Sequence, residues 1–191
     1  HDIVSVGDSM KTILKMKNNS KGFTLIELLA VIVILGILMI TAIPAVTKYI
    51  NNSKKDTFAD SALAYINSAR YSLLNDEYNV TAPDAGDSVC IPLSYIDVDK
   101  ATKSSYGGNW DTAKSYVKAK NENGKVTYSI AIRDMKNYGT KDGAAIDESV
   151  LTTTAKRSNI VQGVATIPDC KCSFGTGADK DKTDCKVSEK N

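Results

Sequence analysis

A single long apolar run constrains this chain more than any other feature of its sequence. It extends from Phe23 to Val46 and contains one charged residue, Glu27. A helix of that length rises about 36 Å, which is enough to cross the hydrocarbon core of a bilayer. Four lysines precede the run, at positions 11, 15, 17 and 21, and the positive-inside tendency places that end in the cytoplasm. We therefore predict one membrane-spanning helix over residues 23–50.

Two ordinary explanations of such a run fit this sequence poorly. A secretory signal peptide needs a small-residue cleavage site after the run, but the segment from Thr41 to Ala45 contains Pro44 and has no Ala-x-Ala pattern. A plain membrane anchor accounts for the length of the run but not for Glu27. A carboxylate in an apolar span is costly and usually has a partner.

The segment Lys21-Gly22-Phe23-Thr24-Leu25-Ile26-Glu27-Leu28 resembles the processing site of type IV prepilins. The resemblance continues through Gly36 and Pro44. It implies that a membrane peptidase cuts between Gly22 and Phe23, so that residues 1–22, a leader with upstream residues, are removed. It also implies that the new N-terminus, Phe23, is N-methylated and that Glu27 is needed for assembly.

The chemistry of this segment agrees with that interpretation. Cleavage before Phe23 creates an ammonium group within one helical turn of Glu27. In a filament, Glu27 of one subunit can meet the amine of its neighbour, and a buried charge is penalised less when it is paired. Such a pair would favour one axial register. Gly36 permits close helix packing, and Pro44 removes a backbone donor and favours a kink.

Beyond Val46 the apolar pattern becomes one-sided, with Phe58, Ala62, Tyr65, Ala69 and Leu73 at helical spacing. We therefore predict that one helix continues to about Asn75. Its second half would belong to a globular head over residues 51–191. The head also contains a predicted hairpin of Ser115–Ala119 and Val126–Ile132, which turns at Asn123-Gly124. The predicted fold class is α+β. In it, a long N-terminal helix packs by its second half on a small antiparallel sheet, and a C-terminal loop carries a disulfide.

The remaining segments give weaker patterns. Ser88–Val98 is apolar enough for a short strand or helical turn, and Ile146–Leu151 could begin either a helix or a strand. Gly139 and Gly143 are interpreted as turns, and Ile160–Val164 as a strand beside the hairpin. The polar stretch from Cys170 to Asn191 is predicted to be an exposed loop.

Four cysteines lie in the predicted head: Cys90, Cys170, Cys172 and Cys185. An even count in an exported domain suggests two disulfides, although free thiols remain the alternative. A bridge between Cys170 and Cys172 would be badly strained, which leaves each of them to pair with Cys90 or Cys185. We favour Cys90–Cys170 and Cys172–Cys185. The resemblance points the same way, because pilins commonly close a C-terminal surface loop with a disulfide.

Composition excludes several kinds of chemistry. The only histidine is His1, so a processed protein would lack the usual general base and nitrogen ligand. The head has equal numbers of acidic and basic residues, so it has no net positive potential that would attract nucleic acid in general, and DNA binding stays uncertain. The segment Asp179–Asp184 faintly resembles a calcium loop, but two lysines are interleaved with its aspartates, so we interpret it as a solvated loop. We predict no catalytic residue, metal or cofactor.

The resemblance implies a structural subunit of an extracellular type IV pilus, held as a single-pass membrane protein until it is cleaved and polymerised. Its implied partners are copies of itself, minor pilins, a prepilin peptidase and a membrane assembly platform. The alternatives are a pseudopilin of a secretion or DNA-uptake system and, in a different class, a membrane-anchored binding module. The sequence leaves adhesion, motility and uptake roles open.

Overall fold

The computed structural model describes residues 22–75, 82–96, 98, 103–173 and 187. The chain divides into two compact units, 1–46 and 47–191. Helix α1 extends from Leu25 to Leu74, close to the predicted bounds. Every side chain from Leu25 to Ile50 is exposed. The buried residues of α1 begin at Phe58 and follow the predicted stripe.

The head contains a four-stranded antiparallel sheet in the order β1-β2-β3-β5. Its strands are β1 (Ser88–Pro92), β2 (Tyr116–Glu122), β3 (Lys125–Ala131) and β5 (Ile146–Asp147). The predicted hairpin is confirmed as β2–β3, with Glu122 opposite Lys125 across the turn. Asn123 and Gly124 have φ values of 53° and 88°, which is the left-handed backbone that a two-residue hairpin turn requires.

The core of the head forms between α1 and one face of this sheet. Strand alternation turns Val117, Ala119 and Ile130 inward, where they join Phe58 and Ile66 of α1. Phe58 and Trp110 meet edge to face at 4.9 Å between ring centroids, which fastens the segment before β2 to the helix.

Short elements complete the fold. A 3₁₀ turn, Leu93–Tyr95, follows β1, so that the Ser88–Val98 segment contains both of the structures considered for it. Helix α2 (Glu148–Leu151) follows β5, and helix α3 (Lys156–Asn159) precedes strand β6 (Ile160–Gln162).

Two sequence-based placements were wrong. Strand β6 lies not beside the hairpin but in a separate two-stranded sheet with β4 (Tyr138–Thr140), because β1 and β5 flank the hairpin instead. Gly139 lies in β4 and not in a turn. A Cβ there would be 2.6 Å from the Ile132 carbonyl oxygen, so this glycine permits a close approach of two backbones.

Candidate functional site

The predicted cleavage residues lie just before the long helix. Gly22 and Phe23 precede Leu25, the first residue of α1, and both are exposed. Among the described residues, and apart from its chain neighbours, no atom lies within 4 Å of the position that a Cβ on Gly22 would occupy. Phe23 is 88% exposed, so the described part of the chain leaves this peptide bond accessible.

Thr24 and Glu27 form a capping box at the start of α1. Glu27 Oε2 accepts hydrogen bonds from the Thr24 backbone N–H and from the Thr24 hydroxyl, both at 2.8 Å. The Glu27 backbone N–H donates in return to Thr24 Oγ1 at 3.3 Å. Reciprocal bonds of this kind satisfy N–H groups that have no acceptor within the helix. The box lies entirely after the predicted cut and needs no atom of residues 1–22.

The capping box was not predicted, although the sequence contains its Thr-x-x-Glu pattern at Thr24 and Glu27. The predicted partner of Glu27 belonged to another molecule, whereas the structure has a partner within the same chain. Within the described part of the chain, hydrogen bonds to this carboxylate reach only Oε2, so Oε1 is available to a donor from another molecule. The pairing of Glu27 with a neighbouring amine stays a prediction.

The apolar half of α1 is long and apolar enough to cross a membrane, with a mean hydropathy of 2.9 over its most apolar window. Within the part of the chain that the structure describes, a Cβ added at Gly36 would have no atom within 4 Å outside its own helical turn. The helix runs through Pro44 without ending there. The roles of Gly36 in packing and of Pro44 in bending stay predictions.

A disulfide joins the head's edge strand to the C-terminal segment. Cys90 of β1 is bonded to Cys170 as favoured, with their Cα atoms 6.1 Å apart and both residues buried. The Ser88 N–H donates to the Ser173 carbonyl at 2.7 Å, and the Val187 N–H donates to the Cys90 carbonyl at 3.0 Å. These bonds occupy β1 groups on the side away from β2, so the C-terminal segment covers part of the sheet edge.

Only one cysteine of the second predicted disulfide lies among the described residues. Cys172 is disulfide-bonded. Cys185 and the segment Asp179–Asp184 lie outside the described residues. The Cys172–Cys185 pairing therefore stays a prediction.

Ion pairs fasten α3 to the first head turns of α1. Arg157 binds Asp56 with two hydrogen bonds, of 2.9 and 2.6 Å, and Lys156 lies 3.3 Å from Asp60. The Lys55 ammonium donates to the Arg157 carbonyl at 2.8 Å. The Arg157 guanidinium holds the pKa of the Asp56 carboxyl below its usual range.

The outer face of the four-stranded sheet carries an open cleft of about 540 Å³. Lys118, Lys120, Thr127 and Ser129 line its strands, and Asp147 lies at β5. Burial, together with the neighbouring Lys120, lowers the pKa of Lys118. No group of three or more acidic, histidine or cysteine residues that could hold a metal occurs among the described residues.

The capped start of α1 lies within a recognised sequence motif. A family model described as the prokaryotic N-terminal methylation motif matches residues 17–43. The chain carries the type IV prepilin signature. The signature includes Gly22, Phe23, Glu27 and Gly36, and it ends one residue before Pro44. No solved structure matches the chain.

The prepilin signature accounts for features that the fold alone leaves unexplained. It marks members of the pilin and pseudopilin families, which are structural subunits. It also fits a membrane-anchored precursor and, in general, processing by a prepilin peptidase and assembly into filaments. The match does not extend into the head.

Proposed function

We propose that this protein is a structural subunit of an extracellular type IV pilus. The observation that carries the proposal is the combination of the prepilin signature with an entirely exposed apolar helix half that begins at a capped glutamate. Exposed apolar surface of that size requires a covering. A membrane covers it before assembly, and the corresponding helices of other subunits cover it afterwards.

In this proposal a prepilin peptidase cuts between Gly22 and Phe23, and Phe23 is N-methylated. The capping box holds the Glu27 carboxylate at the first turn of the helix, where Oε1 accepts a hydrogen bond from the amine of a neighbouring subunit. The pair neutralises two charges in an apolar filament core and so disfavours other axial registers. A membrane assembly platform and minor pilins complete the set of partners, and the protein has no enzymatic role.

The mass of the processed protein tests this proposal. Protein from the cell surface should lack the residues through Gly22 and carry one added methyl group. Replacing Gly22 with a bulky residue should leave uncut precursor in the membrane. An N-terminus elsewhere, for instance after Ala45, would instead indicate ordinary secretion.

A second candidate, a pseudopilin, shares every feature described so far. Electron microscopy with an antibody to the head separates the two candidates. Long surface filaments built mainly of this chain support the pilus. Loss of secretion or DNA uptake in a deletion strain without such filaments supports the pseudopilin.

A third candidate belongs to another class, a membrane-anchored binding module, and the sheet cleft lined by Lys118 and Lys120 favours it. A module of this kind would keep its N-terminal segment and stay monomeric. The mass of the mature protein therefore tests this candidate too: an uncut N-terminal segment supports it, and loss of the residues through Gly22 excludes it.

A further inference from the structure

Several lysines at the end of the apolar half of α1, at the start of its head half and on neighbouring loops have no carboxylate partner among the described residues. We propose that the surface they form binds anionic phospholipid headgroups while the precursor is held in the membrane. The basal surface, as we name it, consists of Lys48 and Tyr49, which precede the head on α1, and of Lys54, Lys103 and Lys136 of the head. The inference rests on the membrane-held precursor of the proposed function and does not depend on polymerisation.

The loop at Lys103–Asn109 gathers three of these lysines. The Lys54 ammonium lies 5.7 Å from the centre of the Tyr106 ring, and the Lys136 ammonium donates to the Tyr106 carbonyl at 3.3 Å. The Ser105 hydroxyl donates to the Lys54 carbonyl at 2.6 Å, which ties the loop to α1. Lys103 begins the same loop and is exposed. Tyr138 stacks on Tyr106 at 3.7 Å between ring centroids and so stiffens the platform.

Several carboxylates elsewhere in the described head are paired with other cations: Asp111 with Arg133, Glu122 with Lys120, Glu148 with Arg70, and Asp56 and Asp60 with Lys156 and Arg157. Among the residues that the structure describes, no carboxylate pairs with Lys54, Lys103 or Lys136. Asp134 lies under the loop but is fully buried. It accepts the Ser104 hydroxyl and the N–H groups of Lys136 and Tyr138. The exposed charge of the basal surface is therefore positive.

The position of these residues along the chain favours lipid over a soluble anion. Lys48 and Tyr49 come two and three residues after Val46, the end of the apolar run. Lys54 follows Val46 by eight residues, a rise of about 12 Å on helix α1. Headgroups occupy roughly 5–7 Å beyond the hydrocarbon core, and charges act across about 8–10 Å of salt solution. Tyr49 is 75% exposed, and tyrosine is enriched at the membrane interface. Lysines within this range attract anionic lipids.

Site-resolved amine labelling tests the proposal on the full-length, uncleaved precursor. The precursor is reconstituted at low density in vesicles of phosphatidylcholine alone or with phosphatidylglycerol, and a membrane-impermeant reagent labels lysines on outward-facing heads. We expect labelling of Lys54, Lys103 and Lys136 to fall roughly threefold or more in the anionic vesicles and to recover at high salt. Lys125, on the hairpin, serves as the internal reference.

A pair of double variants shows whether the effect belongs to this surface. K103Q/K136Q should reduce the protection of Lys54. K114Q/K171Q, which removes the same charge from two exposed positions elsewhere in the head and keeps Lys125, should leave it unchanged. Equal labelling in both lipids overturns the proposal. Protection that increases with protein density also overturns it, because a second copy of the protein would then be shielding the lysines of the basal surface. A precursor that alkaline carbonate extracts from the vesicles contradicts the proposed function itself, whereas failure to form filaments would not affect this result.

Discussion

At the scale of single residues, the two carboxylate oxygens of Glu27 have different roles. Oε2 accepts two hydrogen bonds from Thr24 within the subunit, and Oε1 accepts none among the described residues. The capping box fixes the carboxylate close to the proposed new N-terminus, within a single subunit. Pre-organisation of this kind lowers the ordering cost of a later contact. Thr24 is thus the positioning residue of the proposed assembly contact.

Replacing Thr24 should weaken assembly without affecting cleavage. Thr24→Val keeps the backbone donor to Glu27 but removes the hydroxyl that both donates to Oε2 and accepts the Glu27 N–H. We expect fewer filaments than in the parent and more than in Glu27→Ala, which loses both bonds and the charge. Quantitative electron microscopy of cells with equal amounts of cleaved subunit measures this order. Thr24→Ser, which keeps the hydroxyl, should behave like the parent. Normal assembly of Thr24→Val would show that the hydroxyl has no role in assembly.

Gly139 illustrates a second residue-scale constraint. Gly139→Ala would place a methyl group 2.6 Å from the Ile132 carbonyl oxygen and 2.8 Å from Arg133 Cβ. Backbone must move to relieve this overlap, so we expect a loss of about 1–3 kcal/mol in the free energy of unfolding. Urea unfolding of the variant measures the loss. Gly124→Ala, at the exposed hairpin tip, provides a contrast, because its cost comes from the positive φ and not from a clash.

At the scale of elements, α3 is held to α1 by charge more than by apolar contact. None of its four residues, Lys156–Asn159, contributes a buried side chain. Two of them, Lys156 and Arg157, instead bind Asp56 and Asp60. Short elements fastened in this way depend on the protonation of the acidic partner.

This attachment should weaken in acid. The pKa of Asp56 is lowered in the folded state, mainly by its hydrogen bonds to Arg157. Its stabilising contribution is therefore complete above the ordinary aspartate pKa and is lost as the pH falls through the lowered value. Arg157→Gln should remove this part of the acid dependence and lower the stability at neutral pH slightly. Urea midpoints of both proteins from pH 7 to pH 2 test this; parallel pH curves would contradict the prediction.

At the scale of the whole molecule, the Cys90–Cys170 disulfide joins residues that are 80 positions apart. It holds the C-terminal segment against the edge of the main sheet, where Ser173 and Val187 bind the backbone of β1. A covered edge cannot pair with another strand. The bond thus protects the head both from unfolding and from edge-to-edge association.

Removing this disulfide should destabilise the head. The double variant Cys90→Ser/Cys170→Ser should lose about 2–5 kcal/mol in unfolding free energy, because the unfolded chain is no longer constrained. Urea unfolding under oxidising conditions measures it. Reductant should destabilise the parent at least as much, and a variant that keeps the parent's midpoint would show that the bond is dispensable.

The head should also fold without the apolar half of α1. A chain that begins at Asn51 retains Phe58 and every later member of the core, so its sheet can still pack against the remaining helix. We expect a soluble monomer with a cooperative thermal transition. Circular dichroism and gel filtration check this. Aggregation of a natively expressed head would mean that residues before Asn51 are needed to cover it.

Local patterns were sufficient for much of this protein. The bounds of α1, its buried stripe and the β2–β3 hairpin follow from periodicity and from Asn123-Gly124, because such signals depend on neighbouring residues. The prepilin segment is likewise contiguous. Elimination among the four cysteines left two pairings open, and the favoured one contains the Cys90–Cys170 bond that the structure has.

Only the tertiary structure decided the rest. It placed β6 beside β4, brought β1 and β5 to the hairpin, and put Gly139 at a close backbone contact. It also gathered Lys54, Lys103 and Lys136 around Tyr106. These arrangements join residues far apart in the chain, and short, weakly patterned strands carry no local signal for their partners. The partners of these strands depend on side-chain packing in the complete core, which forms only when distant segments come together.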